Sequence, residues 1–209
     1  EQLARSVKLN VEYIYNDPQP KGEYMSLRDE QTTEIEFGST INTDKIETLA
    51  YNEFGLILFK SADFYLAISA IANPGMHHSW GHVHNDKLSF ELVVAGKHLV
   101  KDPGSYVYTS DAKTRDVFRS TAAHNGILID GIEQNNMIHP FYMDRESTCE
   151  VLELSNAIAV LKGKYYGVEH IRKFEVFANK IVITDTCNKT FKANINEFNQ
   201  YSPNYGSIS

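Results

Sequence analysis

Apolar and polar residues alternate with a period of two over short stretches of this chain, the spacing that puts successive side chains on opposite faces of an extended backbone. TTEIEF alternates from Thr32, FGLILFKS and FYLAISAIA are short apolar runs, and KLSFELVVAGKHLVKD reads as two strands joined around Ala95 and Gly96. Later, NGILIDG, CEVLELS, AIAVLKGKYYGVEHIRKFEVF and KIVITDT are again β-branched and aromatic, punctuated by Gly, Asn or Lys. FANKIVITD predicts a tight hairpin through Ala178 and Asn179. In the second half of the chain helical spacing is confined to SDAKTRDVFRSTAAH, so a short helix or turn is expected near residues 110–122, capped by Ser110 or Asp111. Many short strands at near-regular spacing point to an all-β sandwich or barrel and away from a βαβ sheet. EQLARSVKLNVEYIY reads as a short helix or connector and NDPQPKGEYMSLRDEQ as a loop, so residues 1–31 are expected to be a linker or the remnant of an upstream helical domain. Residues 32–209 then form one domain, whose unpatterned end NQYSPNYGSIS reads as though the domain continued.

Composition narrows the partners. A net charge of −7 and a pI near 5.6 argue against general attraction to nucleic acid or an anionic membrane. No run of eighteen apolar residues is present to span a bilayer. Cys149 and Cys187 are the two cysteines; they permit one disulfide or two buried thiols, and neither sits in a CxxC pattern.

Three stretches carry residues suited to chemistry. In HHSWGHVHNDKLSFEL, an extended backbone would put His82 and His84 on one face with Val83 opposite, a common start for a zinc site; paired histidines at a strand edge also simply hydrogen-bond backbone or solvent. His77 and His78 read as loop residues, and Asp86 and Ser89 as stabilisers of the start of the strand. In LVKDPGSYVY, Asp102 precedes Pro103 and Gly104 and on its own reads as a turn former, with a carboxylate aimed at a neighbouring site as the functional reading. In TRDVFRSTAAHNGILIDG, Arg115 and Arg119 share a helix face, while His124 and Asn125 stand just before a strand. Two arginines, an imidazole and an amide suit a carboxylate ligand, although each arginine alone is better explained by a surface ion pair. Tyr106 and Tyr108 alternate just upstream, as packing residues or as a proton donor.

Several chemistries are absent from the pattern: there is no G-x-S-x-G elbow, Walker loop, G-x-G-x-x-G or H-E-x-x-H. A cupin is a near miss, since Gly75 to His82 is one residue too long, Ser89 stands where Glu is expected and Glu91 comes too late.

Taken together, four ordered blocks resemble the C-terminal part of the heparinase II/III-like family: G-H-x-H-x-D-x-L-S-F-E-L at Gly81 to Leu92, D-P-G-x-Y-x-Y at Asp102 to Tyr108, R-x-x-F-R-x-T-x-x-H-N at Arg115 to Asn125, and D-G-x-x-Q at Asp130 to Gln134. The resemblance extends over about residues 50–188. It implies a large antiparallel β-sandwich of the supersandwich type, following an α/α toroid in the same chain. It implies a polysaccharide lyase acting on uronic-acid polymers such as heparan sulfate, heparin or alginate. It also implies a structural zinc held by His84, Asp102 and His124, a cleft role in acid–base chemistry for His82, and substrate or cleft support from Arg115, Arg119, Asn125 and Tyr108. Because the toroid supplies an essential Tyr, and often an Asn or His, this chain alone is expected to be inactive. The family places it in the bacterial periplasm or outside the cell. The alternatives are a non-catalytic carbohydrate-binding or assembly module of a polysaccharide biosynthesis locus, and a cupin-like metalloenzyme.

Overall fold

A computed structural model describes residues 29–71, 82–139, 141–203 and 206–208. The opening segment 1–28, with His77, His78 and Gly81, lies outside the described residues. Two five-stranded antiparallel sheets dominate. One orders β1 (Asp29–Glu36), β13 (Lys180–Cys187), β12 (Val168–Val176), β11 (Ile158–Tyr165) and β10 (Thr148–Leu154). The other is a meander of β2 (Glu47–Tyr51), β3 (Leu56–Lys60), β4 (Phe64–Ser69), β5 (Phe90–Val94) and β6 (Lys97–Val100). The all-β antiparallel sandwich expected from the sequence is therefore the fold.

The alternation explains the packing. Buried and partly exposed residues alternate along all nine positions of β12, and likewise along β5 and β13. Their inward side chains form one core from both sheets: Ile57, Phe59, Leu66, Phe90 and Leu92 on one side, Leu161, Phe174, Ile181 and Ile183 on the other. Phe90 and Phe174 meet edge to face across the interface, with ring centres 5.3 Å apart. Burying each such side chain stabilises the fold by about 1.5–3 kcal/mol.

Turn chemistry follows the sequence at two hairpins. Ala95 and Gly96 both take positive φ between β5 and β6, and the β12–β13 hairpin closes over Ala178 and Asn179 with Phe177 N donating to Lys180 O at 2.9 Å. The long run AIAVLKGKYYGVEHIRKFEVF is divided by the structure into β11 and β12 at Tyr166 and Gly167, both at positive φ.

Smaller elements build one flank. Helix α1 (Ala112–Arg119) is capped by Asp111, which accepts from Lys113 N and Thr114 N, both at 3.1 Å. A 3-10 turn (Thr121–Ala123) leads into β7 (Gly126–Leu128), which pairs with β14 (Lys192–Asn194). β8 (Met137–His139) and β9 (Tyr142–Met143) form a separate two-stranded ribbon. Cys149 and Cys187 are free thiols, so the disulfide alternative is not realised.

Candidate functional site

Three loops that are distant in sequence meet at the approach to β5. The first carries His82 and His84, the second is the turn after β6 with Asp102, and the third runs from the 3-10 turn to β7 with His124 and Asn125. The first loop departs from expectation. Residues 82–89 are irregular, with the strand beginning only at Phe90, so His82 and His84 do not share a strand face. They turn to different surroundings: His84 lies beside His124, ring centres 5.2 Å apart, while the exposed His82 sits against Tyr108 at 5.4 Å and Phe141 at 6.4 Å.

Asp102 joins two tasks that the sequence offers as alternatives. Its Oδ1 accepts from Gly104 N at 2.9 Å and closes the turn, while Oδ2 meets His124 Nδ1 at 2.6 Å. Gly104 is required there: its φ is +77°, and a Cβ would lie 2.8 Å from the carbonyl oxygen of Ser202. Burial pushes the Asp102 carboxyl up, but the charge and hydrogen bond of His124 outweigh it and hold the group below its ordinary range. The mirror effect acts on His124, where burial lowers the imidazole and the Asp102 carboxylate more than restores it, leaving it raised. Burial, and then the neighbouring His124, press His84 down to about 3 and keep its imidazole neutral. Ser105 Oγ is 3.3 Å from His84 Nε2.

Two buried polar atoms here, His124 Nε2 and Asp86 Oδ1, have no hydrogen-bond partner among the described residues. Two neutral-capable imidazoles and a hard carboxylate are donors that suit zinc, and the unsatisfied His124 nitrogen fits a ligand-binding role. Among the described residues, however, no cluster of three or more His, Cys, Asp or Glu is drawn together tightly enough to hold a metal as it stands.

The remaining candidates lie beneath the surface. Arg115 and Arg119 are 1% and 0% exposed; the Arg115 guanidinium carbon lies 5.2 Å from the centre of the Tyr108 ring and 4.8 Å from that of Phe141. Arg119 Nη1 donates to Asp116 at 3.3 Å. Asn125 is a staple: its amide donates to the carbonyls of Phe90 at 3.1 Å and Lys101 at 2.7 Å, and its Oδ1 accepts from Asn196 N at 2.8 Å. The structure therefore brings His84, Asp102 and His124 together, puts His82 and Tyr108 at the open rim, and seats both arginines and Asn125 below it.

Sequence reasoning missed the residues that hold these loops. Arg172 reaches from β12 to donate to the carbonyls of Leu88 at 2.9 Å, and of Asn125 at 2.6 Å and Gly126 at 3.1 Å just after His124. It is locked by a two-pronged pair with Asp185 at 2.7 and 2.9 Å, and His170 completes the buried group at 2.6 Å. Leu88 takes φ +64°, a conformation costing about 1–3 kcal/mol, and is held in it by Ser69 and Arg172. Gln134 exchanges two hydrogen bonds with the backbone of Lys87, at 2.9 and 3.0 Å, and Glu133 accepts from Thr121 and Asn85. The D-G-x-x-Q block is thus a clamp between the first and third loops. For Arg172, the available signal was His170, Arg172 and Asp185 standing at inward positions of otherwise apolar strands.

The family pattern described as heparinase II/III-like, C-terminal, matches residues 45–196. Solved structures similar to the chain include a heparinase III gene product (20% identity, TM-score 0.49, covering 66% of this chain and 21% of that one). Another is heparan sulfate lyase HepC from Pedobacter heparinus (22% identity, TM-score 0.46, covering 66% and 21%). A third is a heparinase III (19% identity, TM-score 0.47, covering 61% and 20%). The chain thus spans about a fifth of the length of these proteins. No curated protein matches it. No helix among the described residues is long and apolar enough to cross a membrane.

Proposed function

Because this chain belongs to the heparinase II/III-like family, whose C-terminal pattern it carries over residues 45–196, we propose that it is the β-sandwich part of a polysaccharide lyase cleaving uronic-acid polymers by β-elimination. The observation that carries this reading is the convergence of His84, Asp102 and His124 from three separate loops, with the imidazole of His82 exposed beside them. In the reaction the C5 proton of the uronate passes to a base, the freed electron pair forms the C4–C5 double bond, and the C4–O bond breaks as the leaving oxygen takes a proton. His82 serves this proton traffic or faces the uronate carboxylate. Arg115 lies against the Tyr108 ring and, with the buried Arg119, adds positive potential that favours a carboxylate at the rim.

His84, Asp102 and His124 are the residues that would hold a zinc ion, which when bound would brace the three loops. An acidic polysaccharide is the substrate, and a helical toroid in the same protein supplies the remaining Tyr and Asn or His, so this chain alone is inactive. The family reading places the enzyme in the periplasm or outside the cell. The test is absorbance of the unsaturated product from heparan sulfate and alginate, with the full-length protein and with this chain, alongside metal analysis. Turnover by the full-length protein only is expected, with about one zinc per chain that is lost in His84→Ala. Oligosaccharide binding without turnover by the full-length protein would make it a non-catalytic module instead.

A further inference from the structure

The β8–β9 ribbon displays aromatic and aliphatic surface that the fold does not bury. Ile138 is 59% exposed, Tyr142 43% and Phe141 38%. A two-stranded ribbon is marginal in water by itself, yet this one is fastened at both ends. At its base Met143 is fully buried, Asn136 N donates to Asp144 Oδ2 at 3.1 Å, Asn136 Nδ2 donates to the Tyr166 hydroxyl at 2.6 Å, and that hydroxyl donates to the same Asp144 oxygen. At its tip the Phe141 ring covers the Arg115 guanidinium at 4.8 Å, and Tyr108 covers it from another side at 5.2 Å.

The same two rings meet His82, at 6.4 and 5.4 Å. Phe141 and Tyr108 therefore form a pair over one buried cation, with the exposed imidazole at their edge. An aromatic face packs well on the C–H groups of a pyranose, and the positive charge beneath the pair attracts an anion beside it. A neutral apolar partner would gain nothing from that charge, whereas a uronate gains from both features.

We propose that Phe141 is the platform on which one sugar ring of an acidic polysaccharide stacks, adjacent to the ring that faces His82. The proposal rests on reading His82 as a residue of the substrate cleft. It makes the ribbon a determinant of substrate affinity that none of the four sequence blocks contains.

The test titrates the full-length protein with heparan sulfate and alginate oligosaccharides by saturation-transfer NMR and calorimetry, and measures turnover of the parent polymers. Phe141→Ala is expected to weaken the better-bound oligosaccharide about tenfold and raise KM similarly, with kcat changed less than about twofold. Phe141→Tyr retains affinity, and Phe177→Ala, an exposed aromatic on the β12–β13 turn, has no effect. Wild-type affinity in Phe141→Ala alongside normal wild-type turnover overturns the platform and leaves the lyase reading standing. Wild-type protein that binds neither oligosaccharide overturns both. Lower thermal stability with unchanged affinity means the ribbon packs on another part of the protein, which also overturns the proposal. If Phe141→Ala fails to fold, Phe141→Leu removes the ring while keeping apolar bulk, and unchanged affinity there overturns the proposal as well.

Discussion

Replacing Arg172 by Met keeps much of its length and volume while removing the charge and the fork that tie β12 to the loops of the site. The guanidinium is fully buried and makes five hydrogen bonds, two to Asp185 and three to the carbonyls of Leu88, Asn125 and Gly126. Its loss leaves the Asp185 carboxylate, itself 1% exposed, with His170 as its remaining partner. Stranding a buried charge in this way costs about 3–5 kcal/mol, and each orphaned carbonyl adds on the order of 1 kcal/mol. That is a large share of the roughly 5–15 kcal/mol that holds a typical domain folded. Urea unfolding followed by far-UV circular dichroism should therefore show a midpoint far below wild type, or a chain already unfolded in buffer. Arg172→Lys should fall between the two, since it retains charge without the planar fork. The double variant Arg172→Met with Asp185→Leu should be less destabilised than Arg172→Met alone, because no carboxylate is left stranded. His170 tolerates this because burial, its dominant influence, already lowers it and favours the neutral ring. A loss below about 1 kcal/mol in Arg172→Met, or a double variant worse than the single one, would refute the stranded-charge reasoning.

The remaining expectations concern acid and the Asp102 turn. Burial pushes the Asp185 carboxyl up, but the Arg172 charge and the His170 and Arg172 hydrogen bonds overcome it and hold the group at about 2. A carboxylate depressed in the folded state stabilises fully above its unfolded value, near 3.9, and that stability is lost as pH falls through the folded value. Urea midpoints should therefore fall between about pH 4 and pH 2 in the wild type, and Asp185→Asn should flatten that part of the profile after its own constant loss. Gly104→Ala should cost about 1–3 kcal/mol, since φ is +77° and the new Cβ meets the Ser202 carbonyl oxygen at 2.8 Å. Its nearest effect should be on the Asp102–His124 bond, read as a shift of the His124 ring resonances in NMR.

Local regularity made most of the sandwich legible from sequence. A period of two is a property of neighbouring residues, so β4, β5, β13 and the run that holds β11 and β12 could be placed before any contact was known, and a cap at Ser110 or Asp111 likewise. The four ordered blocks also marked His84, Asp102 and His124 as belonging together, which spacing alone did not, because on its own Asp102 read as a turn former.

Tertiary structure decided what those residues face. His82 and His84 stand two apart in an irregular loop, where no local period dictates direction, and only the surrounding loops send one towards His124 and the other towards Tyr108 and Phe141. The burial of Arg115 and Arg119 was likewise invisible, because a helix face shows which residues share a side but not whether rings from distant segments will cover it. Arg172 carries the same lesson furthest: its sequence neighbours describe an ordinary strand, and its partners are the Asp185 carboxylate of β13 and carbonyls more than forty residues away. Strand period is local physics and can be read along the chain. The charge, burial and hydrogen bonding of this site are set by groups that meet only when the two sheets close on each other.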